Sequence, residues 1–277
     1  MAIIGILHPG QMGSSVAASS LAAGNDVVWA SEGRSADTIE RANAAGLTDV
    51  GSLAALVASA ELIVSVAPPA AALDVAVAVA RTGFSGTFLD ANAISPATAL
   101  QVSDTILAAG ATPLDGGIIG PPAWNEGTTR MYVAGNGANA AAATLNGGPL
   151  SCVALDSPYG SASALKMAYA GWTKGSAALL LSVAAFAAAS GVQDALVDEW
   201  NISQPGLAAR AEGSARGTGP KAWRFVGEME EIAASLAAAG LPDGFHLAAA
   251  DAYQRLAGFK SPASPPTLDE VITALLG

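Results

Sequence analysis

The chain has 277 residues with a formal net charge of −11, one cysteine and two histidines. That length is enough for one large domain or two ordinary ones, each burying its own core. Cys152 alone cannot form an internal disulfide, no His/Cys cluster has zinc-ligand spacing, and the acidic balance repels phosphate backbones and anionic lipids. The expected partner is therefore a small molecule, not nucleic acid or a membrane, and no metal site is expected.

In chain order, the N-terminal MAIIGIL has no basic region and runs straight into a strand pattern. A cleaved signal peptide is not expected, and the chain reads as cytoplasmic. Short β-branched runs then alternate with alanine-rich helical stretches, the sign of successive βαβ units around a mostly parallel sheet. Strands are predicted at residues 3–7, 26–30, 62–66, 87–91, 112–118, 130–134 and 152–155, with a helix at 139–145 before the last. After Gly160 no strand pattern recurs. One long helix is predicted from 161 to about 190, interrupted only by Gly171 and Gly175, which cost helix propensity but permit close packing. Further helices are expected at 193–200, 220–239 and 245–256. The apolar run 177–189 is shorter than the roughly 20 residues a membrane span needs and reads as a packed helix. The plan is a Rossmann-type α/β domain over 1–158 and an all-helical domain over 159–277, joined by the long helix.

The first strand leads into HPGQMG, formed by His8, Pro9, Gly10, Gln11, Met12 and Gly13, and then into a helical segment. A glycine turn there lets the backbone approach a pyrophosphate, and the helix start offers free N–H groups and a positive dipole end. Gly10 and Gly13 hold the second and third places of G-x-G-x-x-G, while His8 stands in the first. His8 reads as a turn residue lying over the pyrophosphate or against Pro9 in preference to a catalytic base. The second strand ends at Ser31, with Arg34 and Ser35 just beyond. An acidic tip would accept from a ribose 2′-hydroxyl, whereas Ser and Arg suit a 2′-phosphate. NADP(H) is favoured, and Glu32 keeps NAD(H) open.

Taken together, HPGQMG, SVAPP at 65–69, DANAISP at 90–96, DGGIIGPP at 115–122 and GSASALKMAY at 160–169 resemble the β-hydroxyacid dehydrogenase superfamily. The likeness is greatest to a 6-phosphogluconate dehydrogenase-like branch whose C-terminal domain has no assigned function. The resemblance implies that Val66, Ala67, Pro68 and Asn92 lie along the cofactor. It also implies that Ala93, Ile94, Gly117, Ile118, Gly120, Pro121 and Pro122 shape a substrate pocket. It further implies Lys166 as general acid/base on the interdomain helix, with Tyr169 beside it, and a homodimer. Lysines on helices usually snorkel to solvent, but Leu165, Met167, Ala168 and Tyr169 around Lys166 suggest burial. Lys174, eight residues on, is open between sharing the cleft and facing water.

The departures bear on substrate. Tyr169 and Ala170 stand where the family shows two asparagines. Ile119, Gly120 and Pro121 stand where a Ser-Gly-Gly turn binds a carboxylate; proline has no N–H and isoleucine no hydroxyl. The expected activity is hydride transfer between NADP and a small hydroxy or carbonyl substrate of the β-hydroxyacid type. An imine reductase on the same fold and a dinucleotide-binding protein without turnover are the alternatives.

Overall fold

Continuous apolar runs such as IIGIL and LIVS are what strands covered on both faces require, and they form the centre of the sheet. A computed structural model describes residues 1–260, 262 and 264–277. The chain divides into two units, Met1–Met167 and Ala168–Gly277. The first holds β1 (Ile3–Leu7), α1 (Gln11–Ala22), β2 (Asp26–Trp29), α2 (Ala36–Ala44), β3 (Thr48–Asp49), α3 (Leu53–Ser59), β4 (Leu62–Ser65), α4 (Ala72–Ala80), β5 (Thr87–Asp90), α5 (Pro96–Ala108), β6 (Thr112–Ile119), β7 (Thr129–Ala134), α6 (Ala138–Leu145) and β8 (Leu150–Ala154). The sheet order is β3-β2-β1-β4-β5-β6-β7-β8. Every pairing is parallel except β6 with β7, which the reversing loop at 120–128 makes antiparallel.

Alternate residues of each strand feed two cores, one on each side of the sheet. Ile4, Ile6, Val64, Leu89 and Leu114 pack on one side, and Ile63, Phe88, Val79 and Ile106 on the other. The strand order reverses between β1 and β4, so a crevice opens beyond their carboxyl ends, the place where open α/β sheets bind ligands. Ala30, Val66 and Ala91 are the first loop residues there rather than the last strand residues. β3, two exposed residues long, was too short to leave a period in the sequence.

Helix α7 (Ser161–Ala189) begins in the first unit and continues into the second. The second unit adds α8 (Gln193–Ser203), α9 (Leu207–Thr218), α10 (Ala222–Ala238), α11 (Gly244–Arg255) and α12 (Leu268–Leu276), with no strand among its described residues. Gly171 and Gly175 on α7 make room for His246 of α11. A Cβ on Gly175 would lie 2.9 Å from the His246 Nε2, which itself sits 3.1 Å from the Gly171 carbonyl oxygen. Lys174 does not face water freely; it pairs with Glu228 of α10 and lies over the Phe225 ring. Sequence reading missed α9, whose LAARAEGSARGT is polar and glycine-interrupted, and α12. The latter opens on a Thr267/Glu270 capping box, a signal that was present in the sequence.

By length and composition α7 is apolar enough to cross a membrane, with a mean hydropathy of 1.3 in its best window. The helix has the extent expected from the sequence, but its apolar window of 18 residues is longer than the run 177–189. Buried helices of water-soluble proteins pass the same test, and α7 carries Lys166 and Lys174.

Candidate dinucleotide and catalytic site

The turn after β1 is built for close approach. His8 takes a left-handed backbone, φ +64°, and its carbonyl accepts from the Gly10 N–H at 2.7 Å. A Cβ on Gly13 would fall 2.4 Å from the His8 oxygen, so only glycine lets α1 start this close to the strand. A Cβ on Gly10 would meet nothing nearer than 4.0 Å, so its outer side is open. Gly10 caps α1 without a side chain, and no acid occupies the first turn. The N–H groups of Gln11, Met12 and Gly13 are therefore left for an anion. These residues fit a dinucleotide pyrophosphate.

Beside the turn lies a cavity of about 220 Å³, walled by Leu53, Val75, Ala78 and Val79 and rimmed by His8, Glu32, Arg34 and Asp74. Burial, with the Arg34 charge adding, pushes the His8 imidazole down to about 4. Burial also lowers the Arg34 guanidinium. Ser31 and Ser35 have other work in the fold. Asp49 of β3 accepts from the Ser31 backbone N–H at 3.1 Å, and bonding with Ser31 holds its carboxyl below the usual range. Ser35 caps α2 by accepting from the Thr38 N–H. Arg34 is the remaining predicted cation at this rim.

Four further segments meet the same carboxyl edge. Val66, Ala67 and Pro68 follow β4, and a Cβ on Gly13 would lie 3.6 Å from that of Val66. Asn92 after β5 is 2% exposed, and its amide is fully used: Oδ1 accepts from the Ala67 N–H at 2.5 Å, and Nδ2 donates to Ser65 Oγ and Asp90 Oδ2. Asn92 thus fastens one cofactor-side loop to the next strand instead of offering a free group. Ala93 is half-buried, while Ile94 is wholly buried in the core and presents no side-chain surface to a substrate. Ile118, also buried, belongs to the opposite core.

The loop after β6 is tied down. Ser15 Oγ of α1 accepts from the Ala123 N–H at 2.8 Å, and Thr129 Oγ1 donates to the Pro121 carbonyl at 2.6 Å. Gly120, at φ +125°, passes so close to Thr128 that a Cβ would lie 2.4 Å from its oxygen. Pro121 and Pro122 offer no N–H, the Ala123 and Trp124 N–H groups are already used, and the Trp124 side chain stands more than half exposed. This is a poor cradle for a carboxylate.

Lys166 enters through Asp115. This buried carboxylate on β6 accepts from the Ala162 N–H (2.8 Å), the Ser163 N–H (2.9 Å) and the Ser163 hydroxyl (2.5 Å), closing the start of α7. Its charge also suits the positive end of that helix. Gly117 lets β6 and α7 touch: a Cβ there would lie 2.5 Å from the Ala162 oxygen and 3.2 Å from the Lys166 Cβ. Lys166 is half-buried at the carboxyl edge, less enclosed than its neighbours suggested, since Leu165 and Tyr169 are exposed. Tyr169 follows one turn later on the same side of α7. Asp115, Asp90, Asp49, Ser15 and Trp124 are not singled out individually by the sequence; Asp115, Asp49 and Ser15 act through contacts distant in sequence.

Asp90, 1% exposed beside Asp115 on the next strand, is pushed up to about 7 by burial and by the Asp115 charge, against the pull of its two Asn92 hydrogen bonds. Between its ordinary value near 4 and about 7, the folded chain keeps a proton that the unfolded chain has lost. Asp90 therefore makes stability fall as pH rises through that window. Asp90→Asn has no proton to lose, so its stability relative to the parent should improve from about pH 5 to about pH 8 in urea unfolding. Parallel pH profiles for the two proteins would contradict this.

The family model for the NAD binding domain of 6-phosphogluconate dehydrogenase matches residues 1–145, and a domain of unknown function, DUF1932, matches residues 187–256. No curated protein matches. Among solved structures, the conserved protein MTH1747, described as similar to 3-hydroxyacid dehydrogenases, shares 26% identity with a TM-score of 0.69, over 92% of this chain and 97% of its own. A 3-hydroxyisobutyrate dehydrogenase from Salmonella typhimurium superposes with a TM-score of 0.71 at 18% identity, over 99% of each chain. An imine reductase from Bacillus cereus gives 0.55 at 16% identity, again over 99% of each. The NAD binding domain of 6-phosphogluconate dehydrogenase thus accounts for the first half of the chain, and the fold is the one that 3-hydroxyisobutyrate dehydrogenase also has.

Proposed function

Because the chain belongs to the family with the NAD binding domain of 6-phosphogluconate dehydrogenase, we propose that it is an NADP-dependent oxidoreductase acting on a small hydroxy or carbonyl compound. The observation that carries this reading is the placement of Lys166 against Gly117, at the same carboxyl edge as the glycine turn. When bound, the nicotinamide supplies or accepts the hydride. The first-turn N–H groups of α1 hold the pyrophosphate, Arg34 holds a 2′-phosphate, and the Asn92 clamp fixes the Ala67 loop. Lys166 gives or takes the hydroxyl proton at its Nζ, with Tyr169 one turn away to hydrogen-bond the reacting oxygen.

Reduction of C=N is the second reading, favoured by the loop at 120–124, where two prolines and two engaged N–H groups leave little to bind a carboxylate. Comparing NADP+-dependent oxidation of hydroxyacids with NADPH-dependent reduction of neutral ketones and of cyclic imines separates the two. A preference for β-hydroxyacids supports the first reading, and cyclic imines alone as substrates would replace it with the second.

In the second unit Trp172, Leu179 and Phe186 are spaced by seven residues along α7, a line on one helix face, and are 70%, 58% and 71% exposed. This stripe is the seam of a homodimer in the proposed account. Light scattering at micromolar concentration should give twice the chain mass, and a monomer mass would sink the assignment.

A further inference from the structure

His8 is the only non-glycine residue with a left-handed backbone among the described residues. It occupies a turn position where glycine would carry no strain. Its side chain lines the 220 Å³ cavity next to Arg34, and its Nδ1 is buried with no hydrogen-bond partner. The other charged groups facing that cavity are Glu32, on the same loop as Arg34, and Asp74 at the start of α4. An imidazole is thus held at a strained position, in a cavity whose one guanidinium suits a phosphate and whose two carboxylates do not.

The geometry points to His8 as the group that reads the cofactor's 2′-phosphate, by taking up a proton from solvent when NADPH binds and none when NADH binds. This rests on the nucleotide site proposed above. Without ligand, burial and Arg34 keep the imidazole neutral at pH 7. A phosphate monoester beside it offsets the Arg34 charge, adds to the negative charge of the two carboxylates, and so favours the imidazolium. NADH brings a neutral hydroxyl to the same place, while its pyrophosphate is common to both cofactors. The consequence is a preference for NADPH that strengthens toward acid pH. NADPH affinity falls by up to about tenfold per pH unit between the free and bound imidazole values, and NADH affinity stays level.

Isothermal titration calorimetry of the full chain reads this directly. NADPH and NADH are titrated at about pH 6.5 in two buffers of different ionisation enthalpy, against the parent, His8→Gln and His8→Gly. His8→Gly relieves the left-handed strain, so a folded comparison exists even if glutamine is not tolerated there. The expected result is that NADPH binding takes up roughly half to one proton more in the parent than in either variant, the 2′-phosphate's own ionisation being common to all three, while NADH binding takes up almost none in any of them. Tight NADPH binding with no more proton uptake in the parent than in the variants overturns the role of His8 and leaves the nucleotide site standing. If neither dinucleotide binds, the site itself falls and this inference with it.

Discussion

Lys166→Ala is expected to lower kcat by about 10²–10⁴-fold while leaving NADPH affinity unchanged, the usual range for losing a positioned acid or base. The helix start that carries this lysine is fixed by three hydrogen bonds to Asp115 and pressed against Gly117, so the side chain is aimed by structure that the substitution leaves in place. None of the predicted cofactor contacts belongs to it, which is why binding should survive. Lys166→Arg sharpens the test, because a guanidinium keeps the charge but cannot release a proton near neutral pH. If arginine restored turnover, the lysine would be an electrostatic anchor and the proton would move elsewhere.

Gly13→Ala should damage both fold and cofactor binding, whereas Gly10→Ala should damage binding alone. The Gly13 Cβ would collide with the His8 carbonyl oxygen at 2.4 Å, a backbone atom with no flexible end to yield. Overpacking of that kind costs about 1–3 kcal/mol, and any relief must shift the turn that presents the N–H groups. We expect a lower unfolding midpoint and at least a roughly tenfold weaker NADPH complex, worth about 1.4 kcal/mol. Gly10 has a negative φ and empty space outside it, so alanine there leaves the free protein intact and intrudes only where the pyrophosphate approaches. Thermal unfolding and fluorescence titration of both variants separate these effects. Unweakened NADPH binding by Gly10→Ala would place the pyrophosphate elsewhere.

The turn at 8–13 was legible because its meaning is local: a strand before, a helix after, and glycines at fixed offsets. The change from α/β to all-helical near residue 160 was legible for the same reason, since periods of two and of about 3.6 are written in consecutive residues. Contacts distant in sequence left no such mark. Asp115 closes a helix that starts 46 residues later, and Asp49 claims Ser31 across a strand of only two residues. Asn92 was noticed for its type and place, but only tertiary structure shows its amide consumed by Ala67, Ser65 and Asp90. Ile94 shows the converse limit, since a residue inside a recognised motif can serve the core rather than the ligand.

The central claim is that the carboxyl edge of this sheet binds a nicotinamide dinucleotide. Its most direct test is to titrate the full chain with NADPH and with NADH while following nicotinamide fluorescence. The account predicts saturable binding below millimolar concentration, tighter for NADPH. Folded protein that leaves the fluorescence of both cofactors unchanged, with no competition by the oxidised forms, would contradict it.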